Sequence, residues 1–297
     1  MSVNGAVTTL RAGGYEATVA SVGASLVSLT LDGRALVQAY APEVLADGYQ
    51  GATLVPWPNR VVGGRYAVDG VEHRLPVNEP ETGAALHGLA TFQHWDLVEV
   101  DEFSGVWELD LPPVYGYPFD LRCRVSMTLR AGTGLSVTIS GTNEGTGPAP
   151  FGASAHPYLS CDERPLSECS LVVPAQQVLL TDDRLSPTQL VPVDGSEADL
   201  RRPRPLGDRL VDNALTDLPE GEWEALLTHP EVPGTRLVSD ARWVQVYTGD
   251  RIGHRGVALE PMSCPPDAFN RDLDAVLLQP GETRSVSFRI SGDPALP

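Results

Sequence analysis

The run Leu121–Arg130 sets the fold class. Leu121, Cys123, Val125, Met127 and Leu129 alternate with Arg122, Arg124, Ser126, Thr128 and Arg130. Period-two alternation puts one set of side chains against a core and the other in water, as a half-buried strand does. After a turn at Ala131–Gly134, Leu135, Val137 and Ile139 alternate with Ser136, Thr138 and Ser140, which completes an antiparallel hairpin. Shorter runs of the same kind occur at Tyr15–Ala20, Leu26–Leu31, Ser170–Leu180, Val244–Thr248 and Arg284–Ile290, divided by Gly, Pro, Asn and Asp clusters. Helical signals are confined to Pro42–Ala46 and Pro266–Asn270, each enough for a short turn. The stretch Asp182–Asp217, rich in Pro, Asp and Arg, is expected to be a long surface excursion crossing the sheets. The pattern predicts an all-β protein, an antiparallel β-sandwich formed by residues 1–297 as a single domain.

Composition narrows the chemistry. The chain carries 39 acidic and 21 basic residues, a net charge of −18, and all the basic residues are arginines. Without lysine there is no Schiff-base chemistry. The acidic surface repels nucleic acid and anionic membranes, so neither is an expected partner. A neutral small molecule tolerates that field, whereas a phosphorylated one needs a local arginine cluster, for which Arg60, Arg65 and Arg74 are the candidates. Met1–Thr9 shows no basic region followed by an apolar run, and no apolar run approaches about 18 residues. Neither a secretory signal nor a helical span is therefore expected. The four cysteines, Cys123, Cys161, Cys169 and Cys264, follow no metal-ligand spacing and read as free thiols of a cytoplasmic protein. G-A-S-A-H at 152–156 lacks the last glycine of a nucleophile elbow, and there is no H-E-x-x-H, C-x-x-C or phosphate loop.

Chemically versatile residues gather in a few Gly- and Pro-rich segments. Asn59 and Arg60 lie in V-P-W-P-N-R, His87 in A-L-H-G, His156 in S-A-H-P-Y-L, and Glu260 in A-L-E-P. Such loops present side chains to ligands. His156 precedes a proline and is thereby held extended. In the segment V-Q-V-Y-T-G, alternation puts Gln245 on one face with Trp243 and Tyr247, opposite Val244 and Val246. Trp57 has either a stacking role or a core role.

This ordered set, spread from about Asn4 to Ile290, resembles the aldose 1-epimerase (galactose mutarotase) family. The resemblance implies a large antiparallel supersandwich with a sugar in its concave face. It also implies an acid–base exchange of α and β anomers of a free hexose with no metal or cofactor. On the matching motifs, Glu260 is the implied base and His156 the implied acid toward the ring oxygen. Asn59, Arg60, His87, Asp212 and Gln245 are the implied sugar ligands. Asp212, in L-V-D-N-A-L, lacks the aromatic neighbours of the family segment, so Asp208 and Asp217 stand as alternatives. The overall negative charge is expected to favour the His156 imidazolium. Three other readings compete: an epimerase of hexose 6-phosphate or another anionic sugar, a non-catalytic sugar-binding protein, and a glycoside hydrolase. The last needs a second carboxylate that the sequence does not offer in a comparable context. The expected assembly is a monomer or homodimer.

Overall fold

Residues 2–46 and 48–293 of the computed structural model are described, with Leu273 described by its backbone alone. The hairpin read from the sequence is the centre of the largest sheet. Strand Leu121–Arg130 pairs antiparallel with Gly134–Asn143, in register from Leu121 opposite Asn143 to Arg130 opposite Gly134. Leu121, Cys123, Val125, Met127 and Leu129 are all buried, as the alternation predicts. Each large apolar side chain taken out of water this way contributes roughly 1.5–3 kcal/mol.

Six further strands complete this sheet among the described residues. Thr283–Gly292, Thr235–Ser239, Trp223–Thr228 and Ser170–Val172 extend it on one side, and Ser104–Leu111 and Asp96–Val100 on the other. A second sheet runs in the order Tyr158–Leu159, Val257–Met262, Trp243–Tyr247, Asp212–Thr216, Gln177–Thr181, Pro187–Pro192. A third holds Val7–Ala12, Tyr15–Ala20, Ser25–Leu31 and Arg34–Ala35. All of these pairings are antiparallel. One continuous apolar core joins the first two sheets, with Val125 and Ile139 in the same cluster as Val244, Val246 and Leu259.

Three local expectations are corrected. Ser170–Leu180 is not one strand: Ser170–Val172 ends before Pro174, and Gln177–Thr181 belongs to the other sheet. Proline has no N–H for a ladder, which breaks the run there. Asp182–Asp217 contributes two strands, Pro187–Pro192 and Asp212–Thr216, and only the connection between them is an excursion. That connection crosses to the larger sheet, where Leu200 accepts from Val173 N–H and Leu206 N–H donates to Cys169. Pro42–Ala46 forms turns rather than helix, while the second helical signal does produce a short helix, Ala268–Arg271.

Candidate active site

The second sheet supplies the floor of a cavity of about 390 Å3, within the range of small-molecule sites. Gln245 and Glu260 are directly opposed on neighbouring strands, and Asp212 opposes Tyr247 on the next. Val244 and Val246 face the opposite way and are fully buried in the core, so the alternation read from the sequence holds. Strand Val257–Met262 is buried along its whole length, which takes Glu260 out of water at 1% exposure.

One wall comes from two short segments that pair antiparallel, Arg60–Val61 with Ala85–Leu86. His87 N–H donates to the Asn59 carbonyl at 2.8 Å, which fixes Asn59, Arg60 and His87 side by side. Asn59 and His87 both have positive φ, 54° and 61°. For a ring as bulky as imidazole this backbone is strained, and such strain concentrates at functional positions. Gly88 is required by packing: a Cβ there would lie 2.0 Å from the Val55 carbonyl oxygen. It lets two of the protein's own backbone segments meet.

His156 is locked through its main chain. Its N–H donates to the Ala52 carbonyl at 3.0 Å and its carbonyl accepts from Gly51 N–H at 2.8 Å. Tyr158 stacks on its ring at 4.9 Å between centroids, and Tyr49 lies parallel to it at 6.3 Å. His87 meets it edge-on at 5.3 Å. His156 Nε2 is 3.3 Å from Glu260 Oε1.

Burial governs the protonation of this pair. It pushes His156 down to about 3, helped by the charge of Arg251. It also drives Glu260 well above the usual carboxylate range, with the charge of Asp212 adding to the rise and Arg60 opposing it. Both groups are displaced toward their neutral forms, and the 3.3 Å contact is short enough for a proton to pass between them. The expectation that the protein's net charge keeps His156 protonated is therefore overturned. Burial shifts His87 well below its ordinary value too, as do the charges of His156 and Arg60.

The remaining polar groups of the cavity pair with one another. Gln245 Nε2 donates to Asp212 Oδ1 at 2.6 Å. Burial raises Asp212, an effect opposed by Arg60 and by that hydrogen bond. Arg60 Nε and Nη2 donate to Glu79 at 2.6 and 2.9 Å. Four buried polar atoms from the cavity lining, Gln245 Oε1, His87 Nδ1, His156 Nδ1 and Glu260 Oε2, have no hydrogen-bond partner among the described residues. Leaving each bare costs about 1–3 kcal/mol. Grouped in one cavity, they suit a ligand dense in hydroxyls.

All seven residues singled out in the sequence, Asn59, Arg60, His87, His156, Asp212, Gln245 and Glu260, line this one cavity. Asp212, not Asp208 or Asp217, is the aspartate of its segment that does so. Trp57 belongs to the core, with its indole against Tyr117 and Phe269 and its Nε1–H donated to Ala85. Arg65 and Arg74 do not reach the cavity; both sit beside Glu72 on an exposed hairpin. Sequence reasoning missed Tyr49, Glu79 and Arg251, which also line it.

A family model for aldose 1-epimerase matches residues 6–291. The chain belongs to the aldose 1-epimerase family. Within reach of this family, the chain is 40% identical over 296 residues to the uncharacterized protein YihR of Escherichia coli, covering 98% of this chain and 95% of that one. It is 28% identical over 267 residues to galactose mutarotase of Mus musculus, covering 79% and 76%. The crystal structure of galactose 1-epimerase from Lactobacillus acidophilus superposes with a TM-score of 0.84 at 20% identity, covering 96% of this chain and 94% of that one. The galactose mutarotase-like fold of this family thus extends over nearly the whole chain.

Proposed function

We propose that the protein is an aldose 1-epimerase that interconverts the α and β anomers of a free hexose through the Glu260–His156 pair. The observation that carries this reading is the 3.3 Å contact between two buried, oppositely shifted groups on the floor of a hydroxyl-accepting cavity. With a proton on His156, Glu260 is a carboxylate base. It takes the proton of the anomeric hydroxyl while His156 gives one to the ring oxygen. The bond between the anomeric carbon and the ring oxygen breaks, its electrons stay on that oxygen, and the anomeric oxygen becomes a carbonyl. Glu260 now holds the proton of the anomeric hydroxyl, and the proton that left His156 is on the former ring oxygen. Rotation about the adjacent carbon–carbon bond turns the aldehyde, and the same transfers in reverse close the ring on its other face. Arg60, Asp212, Gln245 and His87 hold the hydroxyls, while the three tyrosines Tyr49, Tyr158 and Tyr247 wall the cavity. Each positioned acid or base supplies a factor of about 10²–10⁴.

A second reading, a sugar with an anionic substituent, is favoured by one observation. The half-exposed Arg251 guanidinium lines the cavity 3.7 Å from Glu79, too far for a hydrogen bond. Relaxation of freshly dissolved α-D-glucose and α-D-galactose, followed by polarimetry or anomeric-proton NMR, tests the first reading, and hexose 6-phosphates and sulfonated hexoses test the second. Acceleration of the neutral sugars supports the first, and acceleration of the anionic ones alone supports the second. Sugar binding without acceleration of any of them would make the protein a binder.

A further inference from the structure

Glu79 lies at the cavity wall yet has no part in the acid–base chemistry above. It is 4% exposed, and both of its oxygens are engaged. Oε2 accepts from Arg60 Nε and from the Thr82 hydroxyl, and Oε1 accepts from Arg60 Nη2. Its backbone closes a tight loop, with Gly83 and Ala84 N–H both directed to the Glu79 carbonyl and Glu79 N–H to Ala84. The carboxylate therefore stands on a fixed platform. The two parallel bonds to Arg60 define the plane of the guanidinium as well as its place.

Counting donors shows what this leaves for a ligand. A guanidinium has five N–H donors. Glu79 takes the Nε donor and one on Nη2, and Asn59 Oδ1 takes one on Nη1 at 3.4 Å. One donor on each terminal nitrogen has no partner among the described residues. Their direction is set chiefly by the two short bonds to Glu79, with Asn59 a longer third contact. Arg60 lines the same cavity as Asp212 and Glu260 and feels the charge of each, and Glu260 Oε2 is a buried acceptor without a partner among the described residues. In a cavity of low dielectric, a guanidinium released from Glu79 is drawn to that acceptor.

We propose that Glu79 is a positioning residue: by clamping Arg60 to the loop wall it aims the guanidinium at substrate hydroxyls and prevents it from pairing with Glu260. The proposal rests on the sugar-isomerase reading given above. Without the clamp, Arg60 occupies part of the sugar site and holds Glu260 ionised, which makes it a weaker base.

The test compares Glu79→Gln, Glu79→Asp, Arg60→Ala and the Glu79→Gln/Arg60→Ala double variant, with kcat and KM measured across pH by anomer-exchange NMR. Wild-type turnover of the sugar panel is established first. Glu79→Gln is expected to raise KM and lower kcat, each about tenfold, the loss of one misaligned charged contact. The acid limb of its kcat/KM profile should move to lower pH, because a nearby guanidinium favours the carboxylate. Glu79→Asp should fall between it and wild type. If Glu79 acts through Arg60, the double variant equals Arg60→Ala within about twofold. Multiplied losses in the double variant, or wild-type kcat, KM and pH profile in folded Glu79→Gln, would overturn the proposal. Should Glu79→Gln fail to fold, Glu79→Asp and Thr82→Val carry the same comparison with Arg60→Ala, and an unmoved acid limb in both counts against the clamp. If wild type turns over no sugar, the isomerase reading is what fails. The clamp is then read from the Arg60 Nε–H resonance, which should be protected from exchange in wild type and lose that protection in Glu79→Gln; an unprotected wild-type resonance overturns it.

Discussion

Gly88→Ala separates two reasons for a glycine beside His87, which lines the cavity. Gly88 has φ of 77°, and a Cβ there would lie 2.0 Å from the Val55 carbonyl oxygen and 2.4 Å from its carbon. Ordinary contact begins at 3.4 Å, so the two backbones must separate by 3.4 minus 2.0, or 1.4 Å. Val55 O accepts from Leu89 N–H at 2.9 Å and from Ala90 N–H at 3.2 Å, and that movement breaks or weakens both bonds. The left-handed conformation costs an alanine about 1–2 kcal/mol, and two hydrogen bonds at about 0.5–1.5 kcal/mol each bring the total to roughly 2–5 kcal/mol. At about 2–4 °C per kcal/mol, Tm should drop by roughly 4–20 °C. Since His87 is the preceding residue, a displacement on the order of 1 Å should also lower kcat/KM about 100-fold. Gly70→Ala is the control: its φ is also 77°, but no atom lies within 4 Å of the Cβ position. It should cost only the conformational strain, about 1–2 kcal/mol, with no loss of rate. Thermal melting and anomer-relaxation assays read both variants. Equal losses of stability with unchanged rates in both would refute the reasoning that Gly88 sets the placement of His87.

Two further outcomes follow from the electrostatics. Burial takes His156 from the ordinary imidazole value of 6.5 to about 3, so in that interval the unfolded chain binds a proton that the native ring refuses. The stability present above 6.5 is lost as pH falls, at up to about 1.4 kcal/mol per pH unit; urea midpoints should decline more steeply from about pH 7 to about pH 5 in wild type than in His156→Gln, and parallel declines would contradict the buried neutral ring. Asp212→Asn weakens the 2.6 Å bond from Gln245 and removes a charge that raises Glu260. It should raise KM about tenfold and shift the acid limb of kcat/KM to lower pH, whereas an unchanged KM would remove Asp212 from sugar binding.

What the sequence discloses depends on how each element is covered. Leu121–Arg130 has one wet face, so its alternation and its hairpin with the following strand are legible. Val257–Met262 is buried on both faces, and its only local signal is a carboxylate inside an apolar run. The polar cavity residues became legible through their motifs, since Asn59, His87 and Glu260 share no periodicity and meet only when separate segments pair. Glu79 shows the limit. It stands in N-E-P-E-T, two residues from Glu81, and nothing local tells the buried clamp from its exposed neighbour. The protonation of His156 failed for a reason of scale. A net charge spread over the surface is screened within about 8 Å at physiological salt, while desolvation acts on the ring itself. Ser170–Leu180 read as one strand because its apolar content continues across Pro174, where the chain leaves one sheet for the other.

The central claim, that Glu260 moves the proton of the anomeric hydroxyl, is tested most directly by Glu260→Gln. The amide keeps the shape of the side chain and cannot accept that proton. Anomer relaxation should be followed at equal concentrations of wild type and variant on a sugar that wild type turns over, with binding of that sugar measured by NMR titration. The account predicts that Glu260→Gln loses about 10²–10⁴-fold in rate while binding the sugar within a few-fold of wild type. A variant that relaxes the anomers as fast as wild type would contradict it.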